Sequence, residues 1–132
     1  MKYRLLVVDD NKMMRHFLVH LFGKKNEVVA VESAEEAISW LNSHELPDLI
    51  IADYNLEGIS GFDLLERLKL LDAYQSLPII ILSGNGQSNN RIRCLQAGAA
   101  DFVTKPFNPL ELELKVERLA RNRLPHPERN VD

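Results

Sequence analysis

Short apolar runs recur along the chain, and within each run the residues do not alternate with polar ones. Four runs occupy residues 5–8, 28–31, 49–52 and 79–82, and a weaker candidate covers residues 100–103. Continuous runs of branched residues are typical of strands that are buried on both faces of a parallel sheet. The pattern therefore predicts five strands covered by helices.

Helical periodicity fills the segments between the runs. Apolar residues recur there at i, i+3, i+4 and i+7, which gives a helix one apolar stripe. Ser33 and Glu36 have the spacing of a helix capping box, and Ser60 stands three residues before Asp63 in the same way. The predicted stripes consist of Met14, Phe17, Leu18 and Leu21; Ala34, Ala37, Ile38 and Leu41; and Leu64, Leu65, Leu68 and Leu71.

The alternation of strands and helices predicts an α/β fold. Right-handed crossovers in such chains put helices on both faces of an open, doubly wound parallel sheet. We place the folded domain at residues 1–122 and interpret residues 123–132, which contain two prolines, as a tail or the stump of a linker.

Composition excludes several classes of function. The 16 Lys and Arg residues against 19 Asp and Glu residues give a net charge of −3, so nucleic-acid binding by bulk charge is not expected. Cys94 is the only cysteine, which excludes a disulfide framework within the chain and favours a cytoplasmic location. We expect its side chain to be packed against apolar neighbours. No apolar stretch approaches the roughly 20 residues that span a membrane, and the start of the chain does not resemble a signal peptide.

Polar side chains follow four of the predicted strands. Asp9 and Asp10 follow the first strand, Asp53 the third, Ser83 the fourth and Lys105 the fifth. Because the carboxyl ends of parallel strands meet at one edge of a sheet, we expect these side chains to converge. Three close carboxylates repel one another unless a cation lies among them, and hard oxygen ligands suit Mg²⁺ or Mn²⁺.

A carboxylate, a metal ion, a lysine and a hydroxyl group are what aspartyl-phosphate chemistry needs. Asp53 is the better nucleophile because it stands alone at the end of a central strand, whereas Asp9 and Asp10 are placed to hold metal. Lys105 can pair with a carboxylate or a phosphoryl group, and Ser83 can donate a hydrogen bond to a phosphoryl oxygen.

The strand-end motifs resemble those of the receiver domain of two-component response regulators, and the resemblance extends over about residues 3–121. It implies a (βα)5 flavodoxin-like three-layer sandwich with the parallel sheet order 2-1-3-4-5. The motifs are Val7-Val8-Asp9-Asp10, Ile51-Ala52-Asp53, Ile81-Leu82-Ser83-Gly84 and Gly98-Ala99-Ala100-Asp101-Phe102-Val103-Thr104-Lys105-Pro106-Phe107.

The resemblance also implies a phosphorylation-dependent signalling switch in the cytoplasm rather than a turnover enzyme. Asp53 would accept a phosphoryl group from a sensor histidine kinase or a histidine phosphotransfer protein. Asp10, Asp53 and the main-chain carbonyl of Asn55 would bind Mg²⁺, for which Mn²⁺ would substitute, and Asp9 would act through water.

The same resemblance implies how the signal leaves the site. Lys105 and Ser83 would contact the phosphoryl group, and Ser83 would move toward it while Phe102 turns inward. The peptide bond between Lys105 and Pro106 would be cis. The face built from the fourth helix, the fifth strand and the fifth helix would then change, and a downstream effector protein or a fused output domain would read it.

Charges of both signs lie on the side of the fourth and fifth helices. They would cross-pair in a two-fold dimer, as in receivers resembling the DNA-binding class, or form a solvated face, and the sequence leaves both interpretations open. These residues are Arg91, Asp101, Glu111 and Lys115.

Three other functions compete with the switch. An aspartyl-phosphate phosphohydrolase of the haloacid-dehalogenase-like type would need Asp-x-Asp after the first strand and a covering cap, but the chain has Asp9-Asp10 and no long insertion. A flavodoxin-like FMN carrier would need hydroxyls and free amides after the first strand, where two carboxylates would repel a phosphate. A phosphorylation-independent scaffold would not need all five site residues.

One loop departs from the family pattern. Glu57 stands where a proline is usual, four residues after the acceptor, and Ser60-Gly61 stands where Asp-Gly is common. We therefore expect this loop to be looser and more acidic than in other family members.

Overall fold

A computed structural model describes residues 2–84 and 88–122 of the chain. The predicted fold class is confirmed, because five strands pair in parallel in the order 2-1-3-4-5. The strands are β1 (Arg4–Val8), β2 (Glu27–Val31), β3 (Leu49–Asp53), β4 (Ile79–Ser83) and β5 (Asp101–Thr104).

Helices connect the strands on both faces of the sheet. The segment 123–132, interpreted above as a tail, lies outside the described residues. No helix within the described ranges is long and apolar enough to cross a membrane. The helices are α1 (Lys12–Gly23), α2 (Ala34–Ser43), α3 (Gly61–Lys69), α4 (Ser88–Gln96) and α5 (Pro109–Asn122), with a 3₁₀ turn at Asp72–Tyr74.

The sheet separates two apolar cores, which explains why its strands are continuously apolar. Leu6 and Val8 of β1 point into the core beneath α2, α3 and α4, and Leu5 and Val7 point into the core beneath α1 and α5. Because successive side chains of a strand face opposite ways, a strand between two cores needs an apolar residue at every position. Cys94 is buried in the first of these cores, as predicted.

The structure corrects two residues of the predicted stripes. Phe17 is 41% exposed, whereas Phe22 is buried one turn beyond Leu18. Leu71 is 51% exposed because α3 ends at Lys69 and the helical period stops there. Tyr74 of the following 3₁₀ turn is buried in its place.

Both predicted helix caps form, but only one is reciprocal. The Ser60 hydroxyl accepts a hydrogen bond from the Asp63 N–H, and the Asp63 carboxylate accepts one from the Ser60 N–H. The Ser33 hydroxyl accepts from the Glu36 N–H, whereas the Glu36 carboxylate turns to the Glu32 N–H. Each cap fixes the start of a helix at the edge where the strands end.

Gly61 lies where α3 begins against the end of β3. Its N–H donates a hydrogen bond to the Tyr54 carbonyl at 2.9 Å. A Cβ atom at this position would lie 2.9 Å from the carbonyl carbon of Asp53 and would overlap the carbonyl oxygen. A side chain here would therefore push the last residue of β3 out of place.

We expect Gly61→Ala to destabilise the protein by about 2–3 kcal/mol, because the overlap is with backbone that cannot move away cheaply. Gly23→Ala is the matched control, since nothing lies within 4 Å of a Cβ built there, and it should change stability by no more than about 1 kcal/mol. Urea unfolding of the two variants measures both values. Equal stability of the two variants would contradict the close approach at Gly61.

Candidate functional site

Three carboxylates meet at the carboxyl ends of β1 and β3. Asp9 and Asp10 follow β1, and Asp53 ends β3, which is the neighbouring strand. One oxygen of each carboxylate lies within 4.8 Å of the others, and Asp9 and Asp53 are buried while Asp10 is exposed. The convergence predicted from the strand ends is therefore present in the fold.

Asp9 is held from several sides but keeps one oxygen without a partner. Its N–H donates a hydrogen bond to the Val31 carbonyl at 3.1 Å, and its Oδ1 accepts one from the Asn11 N–H at 2.9 Å. Its Oδ2 is buried and finds no hydrogen-bond partner among the described residues. Burial raises the pKa of Asp9 above its usual value, the hydrogen bond from Asn11 opposes this, and the charge of Asp53 raises it further.

Asp53 is the carboxylate that contacts a cation. Lys105 Nζ donates to Oδ2 of Asp53 at 3.1 Å, and the Asn55 N–H donates to Oδ1 at 3.2 Å. The Lys105 N–H donates to the Ser83 carbonyl, which fixes the segment after β5 beside the end of β4. The Lys105–Pro106 peptide bond is cis.

Asp10 is tied to the loop that follows β3. Its Oδ2 accepts a hydrogen bond from the Glu57 N–H at 3.2 Å. Glu57 occupies the position where the resemblance leads one to expect a proline, and a proline has no N–H to donate. The departure at this position therefore supplies a contact between the two acidic loops.

The remaining predicted residues of the site lie on β4 and β5. Ser83 is the fully buried last residue of β4, and it pairs in register with Thr104. Phe102 is also buried and packs in the core beneath α2, α3 and α4.

Two of the four charges on the predicted dimer face pair with each other. Lys115 Nζ lies 2.9 Å from Asp101 Oδ2. Arg91 donates a hydrogen bond to the Phe102 carbonyl at 3.0 Å. Arg91, Lys115 and Glu111 line a cavity of about 250 Å³ between β5, α4 and α5. Three of the four charged residues thus surround a surface cavity that Thr104 and Pro106, the neighbours of Lys105, also line.

Contacts around Tyr54 and Arg15 are not indicated by the sequence motifs. The Tyr54 hydroxyl accepts a hydrogen bond from Arg93 of α4 at 3.4 Å, and the Arg93 guanidinium lies 4.2 Å from the centre of the Phe62 ring. Arg15 donates to the Asp9 carbonyl at 2.8 Å. The only sequence signal for either residue is its nearness to the acidic positions.

The donor set fits a small divalent cation. Asp53 pairs with Lys105, but three carboxylates carry more negative charge than this one ammonium group offsets. Asp9 Oδ2 is a buried acceptor with no hydrogen-bond partner among the described residues. Oxygen ligands of this kind suit Mg²⁺ or Mn²⁺. Asp9, Asp10 and Asp53 are therefore the side chains that would hold the ion.

We expect Asp9→Asn to raise the melting temperature of the metal-free protein at neutral pH. The raised pKa of Asp9 means that its ionised form destabilises the folded state, and asparagine removes that charge. The gain should be absent at a pH low enough to protonate Asp9 in both folded and unfolded states, and should grow as the pH rises through the pKa of the folded state. Thermal unfolding in EDTA across this pH range is the measurement.

Glu66→Gln, which removes an exposed carboxylate from α3, is the control and should leave the melting temperature nearly unchanged. Added Mg²⁺ should stabilise the wild type more than Asp9→Asn. A lower melting temperature of Asp9→Asn in EDTA at neutral pH would contradict the account of Asp9 as an uncompensated charge.

Comparison with known proteins agrees with this geometry. A family model described as the response regulator receiver domain matches residues 5–117. The two-component response regulator PhoP of Pseudomonas aeruginosa is 40% identical over 119 residues, which cover 89% of this chain and 52% of that protein. The phosphate regulon transcriptional regulatory protein PhoB of Escherichia coli is 33% identical over 92% of this chain and 53% of its own length. The chain spans about half the length of these curated relatives.

Solved structures have the same fold. The receiver domain of a Francisella response regulator matches with a TM-score of 0.84 and 29% identity, over 91% of this chain and 98% of its own. The chemotaxis response regulator CheY4 of Vibrio cholerae matches with a TM-score of 0.82 and 25% identity, over 90% of this chain and 99% of its own. The chain with this acidic site therefore belongs to the response regulator receiver domain family.

Proposed function

We propose that the chain is a phosphorylation-dependent switch in which Asp53 accepts a phosphoryl group from a sensor histidine kinase or a histidine phosphotransfer protein. The observation that carries the proposal is that the buried Asp53 carboxylate contacts Lys105 and has an oxygen within 4.8 Å of two further carboxylates. This arrangement combines a nucleophile with groups that can neutralise a phosphoryl group.

Mg²⁺ is the proposed cofactor, and Mn²⁺ is expected to substitute for it. Asp10, Asp53 and the main-chain carbonyl of Asn55 would hold the ion, and Asp9 would act through water. When bound, the ion would neutralise the carboxylates and the charge of the incoming phosphoryl group.

In the proposed reaction an oxygen of Asp53 attacks phosphorus while the bond from phosphorus to the donor histidine nitrogen breaks. Lys105 contacts Asp53 Oδ2 at 3.1 Å, and after the transfer its ammonium group would contact the negatively charged phosphoryl oxygens instead. Ser83, at the end of the adjacent strand β4, would donate a hydrogen bond to one of those oxygens. The product is an acyl phosphate on Asp53.

Ser83 and Phe102 are the proposed switch residues. The Phe102 side chain is already buried in this structure, so a movement of Ser83 toward the phosphoryl group would favour this inward position over an outward one. The main-chain carbonyl of Phe102 accepts a hydrogen bond from Arg91. We propose that the surface of α4, β5 and α5 changes as a result. A surface with two alternative conformations would allow the charge added at Asp53 to change how a partner binds to α4, β5 and α5.

Receiver domains of response regulators are signalling domains and are generally not enzymes. The phosphohydrolase alternative lacks support, because no connection within the described ranges carries a cap over the site. The FMN alternative is opposed by the carboxylates of Asp9 and Asp10, which would repel the phosphate of that cofactor.

The proposed output partner is a downstream effector protein or a fused output domain. PhoP and PhoB are about twice as long as the matched segment, which fits a fused domain. A cytoplasmic location belongs to the same proposal, because Cys94 is a free, buried thiol and a reducing compartment suits it.

Incubation with Mg²⁺ and acetyl phosphate should add one phosphoryl group to the wild-type protein, as measured by intact mass. The adduct should be absent from Asp53→Asn and from a sample treated with EDTA, because the first lacks the nucleophile and the second lacks the ion. Asp72→Asn, which changes an exposed carboxylate, is the matched control and should keep the adduct.

Release of inorganic phosphate is measured in the same samples. Steady release without an adduct means that water removes the phosphoryl group faster than the mass measurement captures it. Neither an adduct nor phosphate release, from a folded protein that binds Mg²⁺, would contradict the switch and favour a scaffold.

We further propose that the phosphorylated chain forms a two-fold dimer through the face that carries Arg91, Asp101, Glu111 and Lys115. The intrachain pair between Lys115 and Asp101 and the cavity beside it support the proposal, because opposite charges around a recess can pair with a second copy.

Lys115→Glu should keep the acetyl phosphate adduct but reduce dimerisation at least about tenfold, because it puts like charges at the proposed contact. Sedimentation velocity with Mg²⁺ and acetyl phosphate measures the dimer. Lys24→Glu makes the same charge change at an exposed position at the end of α1 and should dimerise like the wild type. A fully phosphorylated wild type that stays monomeric would identify the face as a solvated one.

A further inference from the structure

Arg15 reaches from α1 to the backbone of the acidic site. Its Nη1 donates a hydrogen bond to the main-chain carbonyl of Asp9 at 2.8 Å, and only 15% of its side chain is exposed. A half-buried guanidinium that donates to a carbonyl makes a charge-assisted hydrogen bond, which is stronger than one between neutral groups.

The acceptor of this hydrogen bond belongs to the peptide unit that joins Asp9 to Asp10. Because a peptide unit is planar, a contact that fixes its oxygen also fixes the orientation of the two Cα atoms on either side. Arg15 therefore acts on the direction in which both carboxylates leave the main chain. Within residues 2–84 and 88–122, Arg15 is the side chain that donates to this carbonyl.

The other contacts of Asp9 leave this orientation incomplete. The Asp9 N–H donates to the Val31 carbonyl, which fixes the peptide that precedes Asp9. The Asn11 N–H donates to Oδ1 of the Asp9 side chain. Neither hydrogen bond fixes the peptide that follows Asp9. Asp9 Oδ2, which has no hydrogen-bond partner among the described residues, depends for its position on how the main chain is turned.

The second contact of Arg15 is weak. Its Nη2 lies 3.8 Å from Glu32 Oε1, and the Glu32 side chain is 67% exposed. Exposed ion pairs at this distance contribute little. The carbonyl of Asp9 is therefore the contact through which Arg15 affects the site.

We propose that Arg15 is a positioning residue of the metal site, which strengthens Mg²⁺ binding by fixing the Asp9–Asp10 peptide. The inference rests on the proposed Mg²⁺ binding. It concerns the arrangement of the ligands, and Arg15 itself does not bind the ion.

The direction in which Mg²⁺ affinity changes when Arg15 is replaced distinguishes a positioning role from electrostatic repulsion of the ion. Arg15 is a cation close to the site, so its charge alone repels Mg²⁺ and its removal would tighten binding. The loss of a positioning contact acts in the opposite direction. Removal of a group that orients metal ligands typically weakens metal binding about 10- to 100-fold.

Isothermal titration of the purified chain with MgCl₂ tests the proposal. Arg15→Met keeps most of the apolar stem and removes the donor, and it should weaken Mg²⁺ binding about tenfold, at the lower end of the range for orienting groups. Arg15→Lys keeps the positive charge and an N–H donor, but its side chain is shorter. It should weaken Mg²⁺ binding about threefold, so that its affinity lies between those of the wild type and Arg15→Met.

Glu32→Gln is the matched control. It removes the weak ion pair of Arg15 and leaves the hydrogen bond to Asp9 in place, so its Mg²⁺ affinity should stay within about twofold of the wild type. Thermal unfolding in EDTA reports the stability of each variant without metal. A purely structural role of Arg15 would lower that stability and leave the Mg²⁺ affinity of the folded protein unchanged.

The outcomes separate the inference from the proposed function. A wild type that does not bind Mg²⁺ would overturn the metal site itself. A wild type that binds Mg²⁺, with Arg15→Met binding equally well or more tightly, would overturn only the role of Arg15. If Arg15→Met does not fold, Arg15→Lys decides the matter, because wild-type affinity of that variant contradicts positioning.

Discussion

The crowding of three carboxylates around one lysine is the constraint on which the rest of the site depends. Asp9, Asp10 and Asp53 bring one oxygen each to within 4.8 Å of the others, and Lys105 pairs directly with Asp53 alone. Such a cluster is costly to the folded state unless a further cation lies among the carboxylates. The same cost makes the cluster a site for a divalent ion and for the charge of a phosphoryl group.

The fold holds these carboxylates with main-chain groups rather than with further charges. The N–H groups of Asn11, Asn55 and Glu57 donate to Asp9, Asp53 and Asp10 respectively. Neutral donors fix the carboxylates in place but leave their negative charge largely available to a cation. Gly61 contributes in another way, because its lack of a side chain lets α3 begin directly against Asp53.

The apolar pattern predicted β1, β3 and β4 well because these central strands lie between two cores and are buried on both faces. The edge strands β2 and β5 are only partly buried. The pattern was less accurate at the helices, which have one buried stripe whose edges depend on their neighbours. Phe17 fits the period of α1 but faces Phe107, with ring centres 6.2 Å apart, and stays partly exposed. Leu71 fits the period of α3, but the helix ends two residues earlier. Where a helix stops depends on its packing, which a local pattern does not contain.

The sequence by itself determined the order of strands and helices and the residues that follow each strand, because burial on two faces and helical periodicity leave local patterns. It therefore indicated that Asp9, Asp10, Asp53, Ser83 and Lys105 would lie at one edge of the sheet. Only the tertiary structure decided which atoms meet there: Arg15 with the Asp9 carbonyl, the Glu57 N–H with Asp10, and Tyr54 with Arg93 of α4. Such contacts join main-chain atoms or distant segments, and their geometry arises only when the loops pack against one another.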